Sequence, residues 1–166
     1  MKIDPILRRG DIHIIFFVTL IAVMEVSVIS PVLPAVATAL RITSREANLL
    51  IVVFTLPGIF LSPLMGILAD RFGRKKVLIP SLIMFGLCGS TCFFVDSFAM
   101  LLVLRFLQGA GSASIGSLNQ TIIGDIFPGK ERIRAMSYNS SIVSVGTMIY
   151  PAIGGAVALL GWHYPF

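Results

Sequence analysis

Two ionisable side chains stand deep inside apolar runs: Glu25 in "IAVMEVSVIS" and Arg105 in "LLVLRFLQGA". A charge in hydrocarbon is costly, so each is a functional candidate whose partner must be found. Counted from Ile12, Glu25 lies about 13 residues, or about 20 Å, along a helix. Arg105, on a helix running the other way, lies about 8 residues, or about 12 Å, from the opposite face. In a hydrocarbon core about 30 Å thick the two come within a few ångströms of one depth. The chemistry open to such a pair is proton exchange, with Glu25 alternating between Arg105 and a proton. A fixed buried pair that only sets packing is the other reading. Gln108, Asn119, Asn139 and Tyr150 are polar groups in the same apolar runs and are candidates to face a shared cavity.

The elements that must carry these residues are membrane helices. Apolar residues make up 56% of the 166 and charged residues 13%, with a mean hydropathy of +0.94, far from a soluble composition. Apolar runs of about 18 residues or more are long enough to span a bilayer as helices. Five occur, over residues 12–39, 47–69, 77–95, 97–124 and 135–161. The expected fold is an all-α membrane protein, one bundle of five transmembrane helices over 1–166. Gly, Ala and Ser within the runs suit close helix packing in lipid. Pro31, Pro34, Pro57, Pro63, Pro80 and Pro151 also fall inside them, where proline is tolerated and each one is able to bend its helix.

The net charge of +5 does not indicate nucleic acid, because the cations follow the membrane rather than one face. With a cytoplasmic amino terminus, the inner segments hold Lys2, Arg8, Arg9, Arg71, Arg74, Lys75, Lys76, Lys130, Arg132 and Arg134. The outer segments hold only Arg41 and Arg45. This positive-inside asymmetry sets the expected orientation, and an odd number of spans leaves the carboxyl end outside. The first run is too long for a secretory signal and carries Glu25, so it reads as a retained helix.

Several motif matches fail on context. "GDIFPGK" has the start of a phosphate-binding loop, but no strand precedes it and Glu131 replaces the magnesium-binding hydroxyl. Asn119 and Asn139 begin glycosylation-like triplets inside spans. His13 and His163 belong to opposite faces and cannot share a metal. Cys88 and Cys92, four apart on one helix, read as packing residues. No catalytic set can be assembled, so no enzyme, cofactor or metal is expected.

One turn is different. "GILADRFGRKKVL" places Asp70 in the last turn of a helix, at the wrong end of its dipole, so a cation from elsewhere should hold it. Arg132 and Arg134 in the next inner loop are the candidates. Gly73 is placed to close the helix in a left-handed conformation, and Gly66, one turn before Asp70, leaves room for another element.

The stretch resembles, position for position, the GxLaDRxGRK signature of the major facilitator superfamily, through Gly66, Leu68, Ala69, Asp70, Arg71, Gly73, Arg74 and Lys75. The resemblance implies a loop that latches two halves of a transporter. "LLVLRFLQGAGSA" is similar to the family's helix-four motif through Arg105, Gln108, Gly109 and Gly111. "GTMIYPAIGG" resembles the antiporter motif of helix five through Gly146, Pro151, Gly154 and Gly155, although Tyr150 and Ser137 replace expected glycines. "ISPVLPAVATAL" is similar to the first helix of drug and proton antiporters.

These resemblances imply proton-coupled efflux of small lipophilic molecules from a plasma membrane, with protons, lipid and a small-molecule substrate as partners. The family resembles two six-helix halves around a pseudo-two-fold, and alternating access needs both. Five helices match an incomplete amino-terminal half, so the chain is expected to be truncated and to need the missing half. A non-transporting membrane protein paired with a partner is the alternative. A self-assembling mini-transporter is disfavoured because parallel copies of an odd-span chain cannot form inverted repeats.

Overall fold

The structure is a computed structural model that describes residues 10–166. Lys2, Arg8 and Arg9, three of the inner cations, lie outside the described residues. The first span runs from Gly10 to Leu40. It comprises α1 (Gly10–Ile29), a 3-10 turn (Ser30–Val32) and α2 (Leu33–Leu40). The break falls at Pro31 and Pro34: a proline lacks the amide for the helical bond and crowds the preceding turn. Pro57, Pro63, Pro80 and Pro151 lie inside helices that continue unbroken.

Helices α3 (Ser44–Phe72), α4 (Arg74–Cys92), α5 (Phe98–Ile126) and α6 (Gly129–Ala158) follow. Five spans are therefore long and apolar enough to cross a membrane among the described residues. Their boundaries differ from the sequence expectation where charged residues extend helices beyond the lipid. The ten-residue inner loop expected over 125–134 contracts to Phe127 and Pro128, and Lys130, Glu131, Arg132 and Arg134 start α6 instead. Length in excess of the hydrocarbon layer costs a helix nothing once its backbone bonds continue into the headgroups.

The connections are local in origin. Arg41 adopts the left-handed conformation with φ +53° and donates from its amide to Thr38 O at 3.4 Å, ending α2. Thr43 and Glu46 then form a reciprocal cap: Glu46 N donates to Thr43 Oγ1 at 3.2 Å and Thr43 N donates to Glu46 Oε2 at 2.7 Å. Gly73, with φ +95°, separates α3 from α4 and donates from its amide to Ala69 O at 2.9 Å. That positive φ is what lets two long helices reverse direction across a single residue.

Helices α1 and α5 form the centre. Half of the most apolar stretch of α5 is buried, 50%, against 11% for α6. Large apolar side chains such as Ile59, Phe60, Ile83 and Met148 lie on the outer surface, more than half exposed. In water this pattern would be an aggregation hazard; in a bilayer those side chains meet lipid tails as apolar as themselves. Inside, apolar clusters line the bundle at three levels: around Val36, Leu50 and Leu101, around Val18, Phe85 and Ile115, and around Ile12, Ile123 and Phe127.

Small residues bring α3 and α4 onto α5 from two sides. A Cβ at Gly109 would collide with the Phe54 carbonyl of α3. One at Gly111 would sit 2.8 Å from the Ser81 carbonyl of α4. Ser62 Oγ donates to Ala113 O at 3.1 Å, and Ser81 Oγ donates to Ser114 Oγ at 2.9 Å. The glycines of the helix-four motif are therefore packing positions. Their missing side chains let the backbones touch.

Candidate functional site

Glu25 on α1 and Arg105 on α5 meet in the bundle. Arg105 Nη1 lies 3.5 Å from Glu25 Oε1, and each side chain is 4% exposed. Phe166 and Phe54 flank the guanidinium, with ring centroids 4.6 and 5.9 Å from Cζ. Such faces attract a cation through the ring quadrupole. The pair opens on a cavity of about 190 Å³ whose polar lining includes Gln108, with Phe85, Gly86 and Gly89 contributed by α4. Gly89 makes room for Gln108: a Cβ there would stand 2.8 Å from the Gln108 amide nitrogen.

The polar atoms of this cavity are incompletely satisfied. Glu25 Oε2, Arg105 Nε and Gln108 Oε1 are buried with no hydrogen-bond partner among the described residues. Two acceptors and one donor are thus left unpaired on residues that line the cavity.

Asn119 and Asn139 do not join this cavity. They are buried toward the end of the bundle at which α1 begins, around Thr19 of α1, a residue outside the sequence expectation. Asn119 Nδ2 donates to Thr19 Oγ1, and Thr19 Oγ1 lies within hydrogen-bond distance of Asn139 Oδ1 and of Ile15 O. One hydroxyl joins α1, α5 and α6. The signal available in the sequence is depth: Thr19 and Asn139 fall within about three turns of the starts of α1 and α6, and Asn119 within about three turns of the end of α5. Tyr150 is half-buried on α6, beside Gly146, and is not among the cavity residues.

The helix-five glycines divide by face. A Cβ at Gly146 would come 3.3 Å from Val23, and one at Gly154 would collide with the Val28 carbonyl, so both seat α6 on α1. Gly155 has open space beside it, and Pro151 is half-buried one turn earlier.

At the turn between α3 and α4, the cation that meets Asp70 is Arg74. Arg74 Nη2 lies 3.2 Å from Asp70 Oδ1, four residues back across the Gly73 turn. The same guanidinium grips Asp125 at the end of α5, with Nε 2.5 Å from Oδ2 and Nη2 3.4 Å from Oδ1. The sequence points instead to Arg132 and Arg134. Gly73 returns the chain so tightly that Arg74, four residues on, comes back beside Asp70. Arg132 rests against Gly124, and Arg134 is exposed on the first turns of α6. Asp125 carries the same sequence signal as Asp70, an acid in the last turn of a helix. Arg71 covers the Phe72 ring at 5.7 Å, Lys75 is exposed, and no atom lies within 4 Å of a Cβ at Gly66.

Comparison with known proteins identifies the family. The sequence profile of the Major Facilitator Superfamily matches residues 15–166. The Bacillibactin exporter of Bacillus subtilis strain 168 is 35% identical over 156 residues, covering 90% of this chain and 39% of the exporter. The Quinolone resistance protein NorA of Staphylococcus aureus strain Mu50 is 27% identical over 156 residues, covering 94% of this chain and 40% of that protein. The chain thus spans about 40% of the length of these curated relatives. A family match along nearly all of its length, on five helices long and apolar enough to cross a membrane among the described residues, establishes that the chain is an integral membrane protein belonging to the Major Facilitator Superfamily of transporters.

Proposed function

We propose that this chain forms the amino-terminal helical body of a proton-coupled exporter of small lipophilic molecules in the plasma membrane. Glu25 is the coupling group. In one state it is held by Arg105; in the other it carries a proton, and Arg105 turns to Gln108 or to substrate. The observation that carries this reading is the incomplete pairing of the site: Glu25 Oε2, Arg105 Nε and Gln108 Oε1, on three residues that line one cavity, are buried without partners among the described residues. The 3.5 Å separation of Glu25 and Arg105 also exceeds the roughly 2.7–2.9 Å of a strong charge-assisted bond. A pair serving only as a packing lock would be expected to close. The names of the relatives, for bacillibactin export and quinolone resistance, support export as the direction.

Alternating access needs a second body to rock against the first. The open faces of α3 and α6, with space beside Gly66 and Gly155, are where we propose that it packs. The inner placement of the Arg74 turn follows from the charge asymmetry. The deciding test is proton-driven efflux of a fluorescent lipophilic cation by cells expressing the protein with Glu25→Gln. Loss of pH-dependent efflux with normal membrane abundance is the expected result. Unaltered efflux would leave Glu25 and Arg105 as a packing pair.

A further inference from the structure

A second concavity lies on the lipid-facing side of the bundle, away from Glu25. It is a groove of about 430 Å³ between α3 and α4, lined by Met65, Leu68, Phe72, Lys76, Val77 and Pro80. Lys76 stands at its mouth, in the first turn of α4, opposite Phe72 at the end of α3. From that mouth Pro80 lies about 6 Å deeper and Met65 about 10 Å deeper at the helical rise. The groove therefore enters the membrane from the headgroup level. Its polar floor is already satisfied: Ser81 Oγ donates to Val77 O at 2.8 Å or to Ser114 Oγ at 2.9 Å.

An occupant thus meets apolar walls and, at one end only, positive charge. Lys75 and Lys76 are exposed and have no acidic partner among the described residues. Arg71 adds a third charge at the rim, because its guanidinium rests over the Phe72 ring at 5.7 Å. Arg74, by contrast, is committed to Asp70 and Asp125. We propose that this groove binds one anionic phospholipid, with its phosphate at Lys76 and the upper part of one acyl chain along Val77, Pro80 and Met65. Charge complementarity selects the head and the apolar walls select the tail.

The face is distinct from the one proposed for the second helical body. At 3.6 residues per turn, Gly66 and Asp70 lie about 40° apart on α3, and Met65, Leu68 and Phe72 lie roughly 100° or more from them. Leu68 and Phe72 are 40% and 57% exposed. Neither is covered by another helix of this chain.

The test is native mass spectrometry of the purified chain in mild detergent, titrated with phosphatidylglycerol or with phosphatidylcholine of the same acyl chains. The first phosphatidylglycerol is expected to bind at least fivefold more tightly than phosphatidylcholine. Lys76→Gln should lower phosphatidylglycerol binding about fivefold, the effect of one cation at an anionic surface. Val77→Trp, which fills the groove, should weaken both lipids. Ile83→Trp, at an exposed site on the same helix, should weaken neither and controls for added bulk. Wild-type binding by both Lys76→Gln and Val77→Trp would overturn the proposal. So would a loss with Lys76→Gln but none with Val77→Trp, since the headgroup would then be adsorbed to the surface with no chain in the groove. Stable copurification of a protein that Val77→Trp releases would overturn it too, by giving the groove another occupant.

Discussion

The hydroxyl of Thr19 on α1 meets the side-chain carbonyl of Asn139 on α6, 120 residues away, while accepting a hydrogen bond from Asn119 on α5. All three side chains are at most 5% exposed. This polar contact ties α1 and α5 to α6 within about three turns of the ends where α1 and α6 begin. Interhelical hydrogen bonds in lipid are worth about 0.6 kcal/mol on average and about 1–2 kcal/mol at most. Thr19→Val should therefore lower stability by about 1–2 kcal/mol, since two buried amides lose their common partner. Thr19→Ser should retain most of it. Unfolding in mixed detergent micelles, followed by circular dichroism, measures both.

Arg74 and Asp125 should be coupled, but weakly. Their geometry is bidentate, yet Asp125 is 52% exposed, and exposed ion pairs rarely exceed about 1 kcal/mol. A double-mutant cycle with Arg74→Ala and Asp125→Ala is expected to give about 0.5–1 kcal/mol, declining as salt is raised. Arg74→Lys should lose most of that coupling, because an ammonium cannot grip both carboxylate oxygens side-on. A coupling that does not respond to salt would contradict this description.

Glycines in the same motifs should behave oppositely on substitution. Gly109→Ala and Gly154→Ala drive a methyl into the backbone of Phe54 and Val28, which cannot rotate away, so each should cost about 1–3 kcal/mol. Gly66→Ala and Gly155→Ala meet nothing within 4 Å and should leave the stability of this chain within about 0.5 kcal/mol of wild type. If the second body packs at those glycines as proposed, the latter pair should instead impair transport. Comparing detergent stability with efflux separates the two effects.

Substitutions at the buried pair should separate folding from function. Glu25→Leu strands Arg105 as an uncompensated charge and should destabilise by about 3–5 kcal/mol. Glu25→Gln keeps an oxygen facing the guanidinium, so the fold should survive with a much smaller loss. Purified yield and unfolding midpoint report on the first effect, and pH-driven efflux on the second. Equal yields for both substitutions would show that Arg105 does not depend on Glu25 within the bundle.

The sequence by itself determined the number of spans, their order and the depth of each residue in the membrane. These are local quantities: apolar length selects a spanning helix, and a fixed rise per residue converts position into depth. That is why Glu25 and Arg105 were legible as a pair although 80 residues separate them. The Thr43–Glu46 cap and the reversal at Gly73 are equally local. Only the tertiary structure decided which side chains at one depth face each other. Asn119 and Asn139 turn to Thr19 rather than to the Glu25 cavity, and Arg74 holds Asp70 in place of Arg132 or Arg134. The apolar surface of a membrane helix leaves its rotation nearly free in sequence terms, because lipid and a neighbouring helix are equally apolar environments. Rotation is fixed by backbone contacts at Gly109, Gly111 and Gly154 and by a few buried polar bonds, which exist only once the helices have found their neighbours.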